Sequence, residues 1–245
     1  MDWTIIISIF ILLLPFIVLF LPFILAWLRG AKNLHSAHQK YMKALEVTFR
    51  RLFNATLSYE IRHPLEGIYM AKNQYAIQGK TWLVDRRAYF YYIAKFMRPI
   101  NDVVFCSMTT PFTPGCALII VSKNQPKLVD QALSYSRQLD VVRIKGMDDY
   151  YLLLTDNVVG LRHILDGFTV HELMSLYRHI MYIVVDYTEP NVEYYVEVNE
   201  KNYAEIIPRV ATLVKRIAEA TARVSPKKTT IDAIKKLKRS LKIRT

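Results

Sequence analysis

Cysteine and glycine are both scarce in this chain. Of its 245 residues, two are cysteines, Cys106 and Cys116, and seven are glycines. Two cysteines are too few for a disulfide framework or a cysteine-rich zinc site, and they fit a reducing compartment. We therefore expect both to be small side chains of the core. The glycines form no Walker loop, dinucleotide fingerprint or serine elbow, and the chain has no zincin histidine pair. The sequence thus carries no recognisable catalytic motif, and we expect a protein that is not an enzyme.

The histidines and the acidic residues offer no metal or cofactor site by their spacing. His35 and His38 could share one helical face, but they have no third ligand nearby, which favours a surface or interfacial pair. Three further histidines are eight residues apart, so on a helix they cannot converge on one ion: His163, His171 and His179. Three acidic residues at strand ends are interpreted as turn or capping residues: Asp148, Asp149 and Asp156. We expect no metal and no cofactor.

Charge is absent from residues 3–28. This apolar run exceeds the roughly 20 residues that cross a bilayer as a helix, so residues 1–28 are predicted to be a transmembrane anchor. A cleaved signal peptide is the alternative, but the length of the run, Asp2 before it and the lack of a small-residue cleavage site favour retention. Pro15 and Pro22 lie inside the run and suggest a kink or a packing partner.

Positive charge follows the apolar run on one side only. Arg29, Lys32, Lys40 and Lys43 come directly after it, with no acidic residue before Glu46. The positive-inside rule places the N-terminus outside and residues 29–245 in the cytoplasm. The membrane would be the plasma membrane in a prokaryote and the endoplasmic reticulum in a eukaryote.

Residues 29–224 are predicted to form a cytosolic α+β domain that opens with a juxtamembrane amphipathic helix. Its apolar positions recur at helical spacing: Leu34, Tyr41, Leu45, Phe49, Leu52, Phe53 and Leu57. We expect this helix to stop around Pro64, because proline disfavours helix in the residue before it.

Short strands and short helices are expected to alternate through the remainder of the domain. The expected strands are a pair within 67–78, two at 102–109 and 116–122 with the turn-forming PFTPG between them, one at YYLLLTD, and a final pair, MYIVVDY and VEYYVEV, around TEPN. The expected helices lie at 85–97, at 125–139, as two short helices across 157–181 broken near Gly167, and at 202–224. Pro208 is either a first-turn residue of the last helix or a kink.

Positive charge is concentrated in residues 225–245. This tail holds eight cationic residues and one acidic residue, Asp232. The resulting excess of positive charge is more than half of the formal net charge of +12 of the whole chain. The cationic residues are Lys227, Lys228, Lys235, Lys236, Lys238, Arg239, Lys242 and Arg244.

The tail is predicted to form a basic helix with a narrow apolar stripe. The stripe consists of Ile231, Ile234, Leu237 and Leu241. Such a helix can be a solvated end, can adhere to anionic lipid, or can bind RNA by releasing counterions from a line of phosphates. Lipid is the weaker candidate, because a protein with a spanning helix gains little retention from surface adhesion.

Three segments carry a resemblance to a known family. They are EGIYM at 66–70, IAKFMRPINDVV at 93–104 and IIPRVATLV at 206–214. Within the second, Ala94, Met97-Arg98-Pro99 and Asp102 form the most specific pattern, which joins a helix end to a strand start. Together with the order of parts, these segments resemble calumin, the coiled-coil-domain protein of the PAT (protein associated with translocon) complex.

The resemblance implies a non-enzymatic role in the multipass translocon beside the Sec channel, with the C-terminal helices touching ribosomal RNA near the exit tunnel. Carried to this chain, the phosphate-contacting set would be the eight cationic residues of the tail, whereas Arg98 would order the helix-to-strand junction. This chain lacks calumin's long acidic extracytoplasmic region, so calcium binding is not transferred, and its tail is shorter. A compact prokaryotic or archaeal relative fits both departures.

The sequence therefore predicts a membrane protein biogenesis factor. Its expected partners are the large-subunit rRNA and proteins of the ribosome, the Sec channel with its accessory membrane subunits, nascent membrane proteins and membrane lipid. The alternatives are a membrane-anchored scaffold whose basic tail binds anionic lipid, and a membrane-tethered enzyme without a recognisable motif.

Overall fold

A computed structural model describes residues 3–87, 91, 94 and 100–224 of the chain. Three predictions fall wholly or mostly outside the described residues. These are the helix at 85–97, the ordering role of Arg98 and the basic tail at 225–245 with its eight cationic residues.

The described residues form an α+β domain, as predicted. Its α-helices are α1 (Trp3–Phe53), α2 (Pro126–Leu133), α3 (Val158–Ile164), α4 (Gly167–Ser175) and α5 (Tyr203–Thr221), and a 3₁₀ helix, Ser134–Arg137, follows α2. The strands are β1 (Ser58–His63), β2 (Glu66–Lys72), β3 (Ala76–Trp82), β4 (Asp102–Thr109), β5 (Leu118–Ser122), β6 (Asp140–Val142), β7 (Tyr151–Thr155), β8 (Ile180–Val185) and β9 (Val192–Val198). They make one antiparallel sheet in the order β1-β2-β3-β4-β9-β8-β5-β7-β6.

The first helix is one continuous element of 51 residues, so the apolar run and the amphipathic segment that follows it are not separated by a loop. Within the described residues, no helix is both long enough and apolar enough to cross a membrane. The side chains of residues 3–13 and 16–19 lie outside the described set, and the transmembrane anchor at 1–28 stays a prediction.

The second half of α1 buries one face against the sheet. Leu34, Tyr41, Leu45 and Phe49, which recur every four or seven residues, are each at most 1% exposed. This spacing keeps the four side chains on one stripe of the helix. The apolar pattern thus located the buried face correctly.

The end of α1 differs from the prediction. The helix stops at Phe53, where Asn54 takes a left-handed conformation (φ 50°) and the Ala55 N–H donates to the Phe49 carbonyl at 3.3 Å. Asparagine tolerates that conformation better than most residues, which makes it a helix terminator. The residues between this point and Pro64 form β1, a strand whose side chains are exposed or half-buried. An edge strand with no apolar alternation gave no sequence signal, and the same is true of the three-residue β6.

The main core lies between the sheet and α1, α3, α4 and α5, and a second, smaller cluster lies on the opposite face beneath α2. Strand β5 faces both: Leu118 and Ile120 belong to the main core, whereas Ile119 and Val121 belong to the second cluster. A strand covered on both faces is apolar throughout, as the CALIIVS segment is. Cys106 and Cys116 are buried as expected, and burial raises the pKa of each thiol to about 12.

Most of the remaining elements agree with the sequence prediction, but their pairing does not follow chain order. The strand pair β2–β3, the strand β7, the break between α3 and α4, and the pair β8–β9 are confirmed. Pro208 lies inside α5, beyond its first turn. The PFTPG segment does not join neighbouring strands, because β4 pairs with β3 and β9 while β5 pairs with β7 and β8. The hairpin β8–β9 is inserted between them.

The buried stripe of α1 predicts a stability difference between two positions of one turn. We expect Leu45→Ala to lower the free energy of unfolding by about 2–5 kcal/mol, because it leaves a cavity in the main core. Val47→Ala, at a position that is 60% exposed, should change it by less than about 0.5 kcal/mol. Urea unfolding of both full-length variants in detergent tests this, and equal effects would contradict the assigned face of α1.

Candidate functional site

The tail itself is not described, but its attachment point is. The last described residue, Val224, follows α5 and packs against the segment before β5. There the Gly115 N–H donates to the Thr221 carbonyl at 2.9 Å, and a Cβ at Gly115 would lie only 1.5 Å from the Val224 carbonyl oxygen. Glycine is therefore required at position 115, and this contact holds Val224, the last described residue, against the domain.

Helices α1 and α5 lie side by side and run in the same direction. The rings of Tyr41 and Tyr203 are 5.3 Å apart near the start of the shared stretch. Near its end, the Lys215 ammonium donates to the Leu52 carbonyl at 2.7 Å. The apolar run enters α1 at one end of this pair, and the basic tail follows α5 at the other. The two terminal segments therefore join opposite ends of the domain.

Helix geometry gives the distance between these two ends. Gly30 packs against the backbone of Arg86, and from there α1 rises about 35 Å to Phe53 at 1.5 Å per residue. Lys215 of α5 lies beside Leu52, and α5 continues from there to Thr221. These six residues add about 9 Å to the distance along α1. The basic tail thus begins about 45 Å, measured along the helices, from the end of the apolar run.

A buried ionic cluster fastens α1 to the sheet at the end nearest the apolar run. The Asp102 carboxylate, at the start of β4, accepts hydrogen bonds from Tyr41 Oη (2.6 Å), the Val84 N–H (2.9 Å) and Arg86 Nη2 (2.5 Å). Arg86 Nη1 also donates to Glu200 Oε1 at 2.7 Å, just before α5. The side chains of Arg86 and Asp102 are 3% and 2% exposed. Hydrogen bonds satisfy most of the polar atoms of this buried pair, which stabilises it, although Arg86 Nε has no partner among the described residues.

The charges of this cluster act on the groups around them. Burial and the neighbouring Asp102 carboxylate raise the pKa of the Tyr41 hydroxyl well above its usual value, so Tyr41 remains a hydrogen-bond donor. Burial works against the charged form of Arg86, but the Asp102 and Glu200 carboxylates outweigh it and raise the pKa of the guanidinium. Burial raises the pKa of the Asp102 carboxyl, and Arg86 together with the hydrogen bonds from Tyr41 and Val84 opposes that shift.

His38 is buried beside this cluster, one helical turn before Met42. Its Nε2 lies 3.0 Å from the Pro64 carbonyl oxygen, and its Nδ1 lies 3.4 Å from Thr81 Oγ1. A carbonyl can only accept, so Nε2 carries the proton of the neutral ring. Burial lowers the pKa of His38, although the Pro64 hydrogen bond and Asp102 oppose that shift. His38 is a neutral contact between α1 and the β1–β2 turn.

A groove of about 390 Å³ opens between α1 and the β1–β2 turn. Its apolar part comes from Trp27, Ala31, Leu34, Ile61 and Pro64, and its polar part from His35, His38, Arg62, His63 and Arg87. Trp27 is the last residue but one of the apolar run and is 53% exposed. The groove therefore lies where the apolar run meets the folded domain.

A second, polar groove of about 290 Å³ lies between the end of β5 and the loop before β8. Glu197 lines it, and the two oxygens of its carboxylate accept hydrogen bonds from Gln125 Nε2 and Asn101 Nδ2, each at 3.0 Å. Both partners are neutral amides. They anchor the carboxylate as a structural contact between loops.

The structure separates the residues that sequence spacing had grouped. His35 is exposed and lies 3.0 Å from Gln39 Nε2, whereas His38 is buried, so only His35 fits the predicted surface pair. His163 and His171 are in helices as expected, but His179 lies in a turn before β8, where the Glu197 carbonyl lies 3.1 Å from its Nδ1.

The acidic residues agree with their predicted turn roles in two of three positions. Asp148 and Asp149 lie in a turn, whereas Asp156 is buried and accepts from the Ala117 N–H and Tyr187 Oη. Within the described part of the chain, no three His, Cys, Asp or Glu side chains are grouped so that they could hold a metal ion.

Comparison with known proteins leaves the family open. No family model and no protein of curated function matches this chain. One solved structure that it resembles is the crystal structure of the mycobacterial trehalose monomycolate transport factor A, TtfA. The two are 8% identical with a TM-score of 0.35, over 71% of this chain and 74% of that one. A similarity of this size supports no argument, and the resemblance to calumin stays a prediction.

The ionic cluster predicts a large stability loss when one charge is removed. We expect Arg86→Met to lower the free energy of unfolding by about 3–5 kcal/mol, because it leaves Asp102 buried and unpaired. Adding Asp102→Asn should recover more than half of that loss, since the amide oxygen still accepts from Tyr41. As a control, Arg216→Met breaks an exposed pair with Asp166 and should cost less than about 1 kcal/mol. Chemical unfolding that gives equal losses for Arg86→Met and Arg216→Met would contradict the structural role of the cluster.

The lowered pKa of His38 predicts a loss of stability in mild acid. The folded state binds this proton more weakly than the unfolded state, so stability is complete above the ordinary histidine pKa of about 6.5 and falls as the pH drops below it. The fall approaches about 1.4 kcal/mol per pH unit at most. His38→Gln should flatten the curve between pH 7 and 5, whereas His35→Gln, which removes only a minor contribution to the lowered pKa of His38, should flatten it much less. Urea unfolding across this pH range measures both, and the same slope in all three proteins would refute the assignment.

Proposed function

We propose that this chain is a membrane protein biogenesis factor that binds the translating ribosome through its basic tail and assists insertion of multipass membrane proteins beside the Sec channel. The supporting observation is the parallel arrangement of α1 and α5. It puts the apolar run at one end of the domain and the start of the tail at the other. Such a protein can be held in lipid and present its positive charge away from the bilayer.

The distance between the two ends favours RNA over lipid as the target of the tail. If the tail forms the helix that its sequence predicts, its 21 residues reach about 32 Å. That is shorter than the 45 Å or so back to the membrane surface. A helical tail would therefore direct its cations at a polyanion outside the bilayer, and the lipid-scaffold alternative requires the tail to be extended instead.

The proposed mechanism is geometric and needs no cofactor. The rigid domain acts as a spacer, since α1 and α5 pack together on one face of the sheet. The tail contacts ribosomal RNA phosphates and releases counterions from them, which makes binding strong at low salt and weak at high salt. The apolar run remains beside the Sec channel and is available to nascent transmembrane helices. The assignment to the translocon rests on the resemblance to calumin, whereas the arrangement of the ends is a property of this chain.

The tail should lose ribosome binding when its charge is reversed. We expect the full-length variant with Lys235, Lys236, Lys238 and Arg239 changed to Glu to bind purified ribosomes at least roughly a hundredfold more weakly. The salt dependence of the remaining binding should also be shallower. Co-sedimentation of detergent-solubilised protein with ribosomes over a salt series measures both.

The matched control reverses four exposed cations of the domain: Arg50, Arg51, Lys72 and Lys127. It should bind ribosomes like the unchanged protein. Unchanged binding by the tail variant, or binding of the unchanged protein to anionic vesicles but not to ribosomes, would exclude the proposed function.

A further inference from the structure

The groove between α1 and the β1–β2 turn combines an apolar part with a cationic rim at the junction of the apolar run and the domain. We propose that it holds the headgroup of one anionic phospholipid from the cytoplasmic leaflet. This inference rests on the membrane anchor of the proposed function, but not on ribosome binding.

The position of the groove places it at headgroup depth. The α1 residues that line it fall between Trp27 and His38, directly after the uncharged residues 3–28. Tryptophan is enriched at membrane interfaces, because its ring is apolar and its N–H is polar. With residues 3–28 in the bilayer, Trp27 and Ala31 would therefore face the boundary between acyl chains and headgroups.

The chemistry of the lining matches the two parts of a phospholipid. Trp27, Ala31 and Ile61, which are exposed or half-buried, offer a surface for the glycerol and upper acyl region. Arg62, His63 and Arg87 also line the groove and suit a phosphate. The planar guanidinium of arginine presents paired donors to phosphate oxygens.

Both arginines have carboxylate partners that leave room for a phosphate. Arg87 donates from Nε and Nη2 to the two oxygens of Asp85, each at 2.9 Å, which uses two of the five donors of its guanidinium. Arg62 lies 3.6 Å from Glu60, in a pair whose side chains are 61% and 71% exposed. Exposed pairs of this kind contribute little, so a phosphate in the groove can compete for Arg62.

The size and the location of the groove decide between possible occupants. Its volume of about 390 Å³ is near the lower end of the range for small-molecule sites, which suits a headgroup. Free phosphate would leave the apolar side uncovered. A lipid would cover these apolar residues without leaving the bilayer, and its phosphate would contact the cationic ones.

The test measures phospholipid retained by the full-length protein. Protein in detergent is incubated with equal amounts of phosphatidylglycerol and phosphatidylcholine, purified, and assayed by native mass spectrometry. We expect the unchanged protein to retain one phosphatidylglycerol in preference to phosphatidylcholine. Arg62→Gln with Arg87→Gln should lower that preference about tenfold, because each cation near a membrane surface favours anionic lipid. The loss is limited because a neighbouring carboxylate partly neutralises each arginine.

Controls separate the groove from general charge and from misfolding. Arg50→Gln with Arg51→Gln removes two exposed cations from the far end of α1 and should leave retention unchanged. Ala31→Phe fills the groove without changing its charge and should also reduce retention, whereas Val47→Phe, at an exposed position of α1, should not. If the double arginine variant is unstable on urea unfolding, Ala31→Phe decides the question.

Three results would overturn the inference. The first is unchanged retention of phosphatidylglycerol by the groove variants, and the second is an equal loss of retention in the Arg50 and Arg51 control. The third is complete displacement of phosphatidylglycerol by glycerol phosphate, which lacks acyl chains. Ribosome co-sedimentation of the same variants distinguishes this failure from failure of the proposed function. The groove variants should bind ribosomes normally, and the tail variant should retain phosphatidylglycerol normally.

Discussion

The buried carboxylate of Asp102 connects parts of the chain that are far apart in sequence. It accepts from Tyr41 of α1 and pairs with Arg86, which in turn contacts Glu200 before α5. One ionic cluster thus fixes both helices to the sheet. Removing these charges from water is unfavourable, and the hydrogen bonds from Tyr41, Val84 and Arg86 to the Asp102 carboxylate offset that cost. Together with the buried apolar stripe of α1, this contact holds α1 in its direction across the sheet.

The two proposed binding regions follow from that arrangement. The groove with Arg62 and Arg87 lies beside the start of the amphipathic part of α1, close to the apolar run. The tail follows α5 at the opposite end, beyond the contact between Gly115 and Thr221. A lipid headgroup in the groove and an RNA phosphate backbone on the tail would not compete for the same residues. Both ligands are nevertheless negatively charged and would bind cationic side chains. The distance between the two regions, rather than a difference in their charge, would allow each region to bind its own ligand.

Sequence patterns located the elements whose signals are local. The stripe through Leu45 and Phe49 predicted the buried face of α1, and the break near Gly167 separated α3 from α4, which Asp166 caps by accepting from the Thr169 N–H. The strand β1 and the end of α1 at Phe53 were missed, because an exposed edge strand has no apolar alternation and the terminating conformation of Asn54 depends on its surroundings. The candidate groove was missed too, since His38, Arg62 and Arg87 are distant in sequence and only folding brings them together.

The sequence by itself determined which kinds of segment this protein contains. These are an uncharged run at 3–28, an amphipathic helix after it, apolar strands, and eight cationic residues in the last 21. These are properties of neighbouring residues, and periodicity and charge reveal them directly. The tertiary structure decided the strand order, the pairing of Arg86 with Asp102 and Glu200, and the parallel course of α1 and α5. Such features join residues up to 163 positions apart, and their energy comes from burial and hydrogen bonds that exist only in the folded chain.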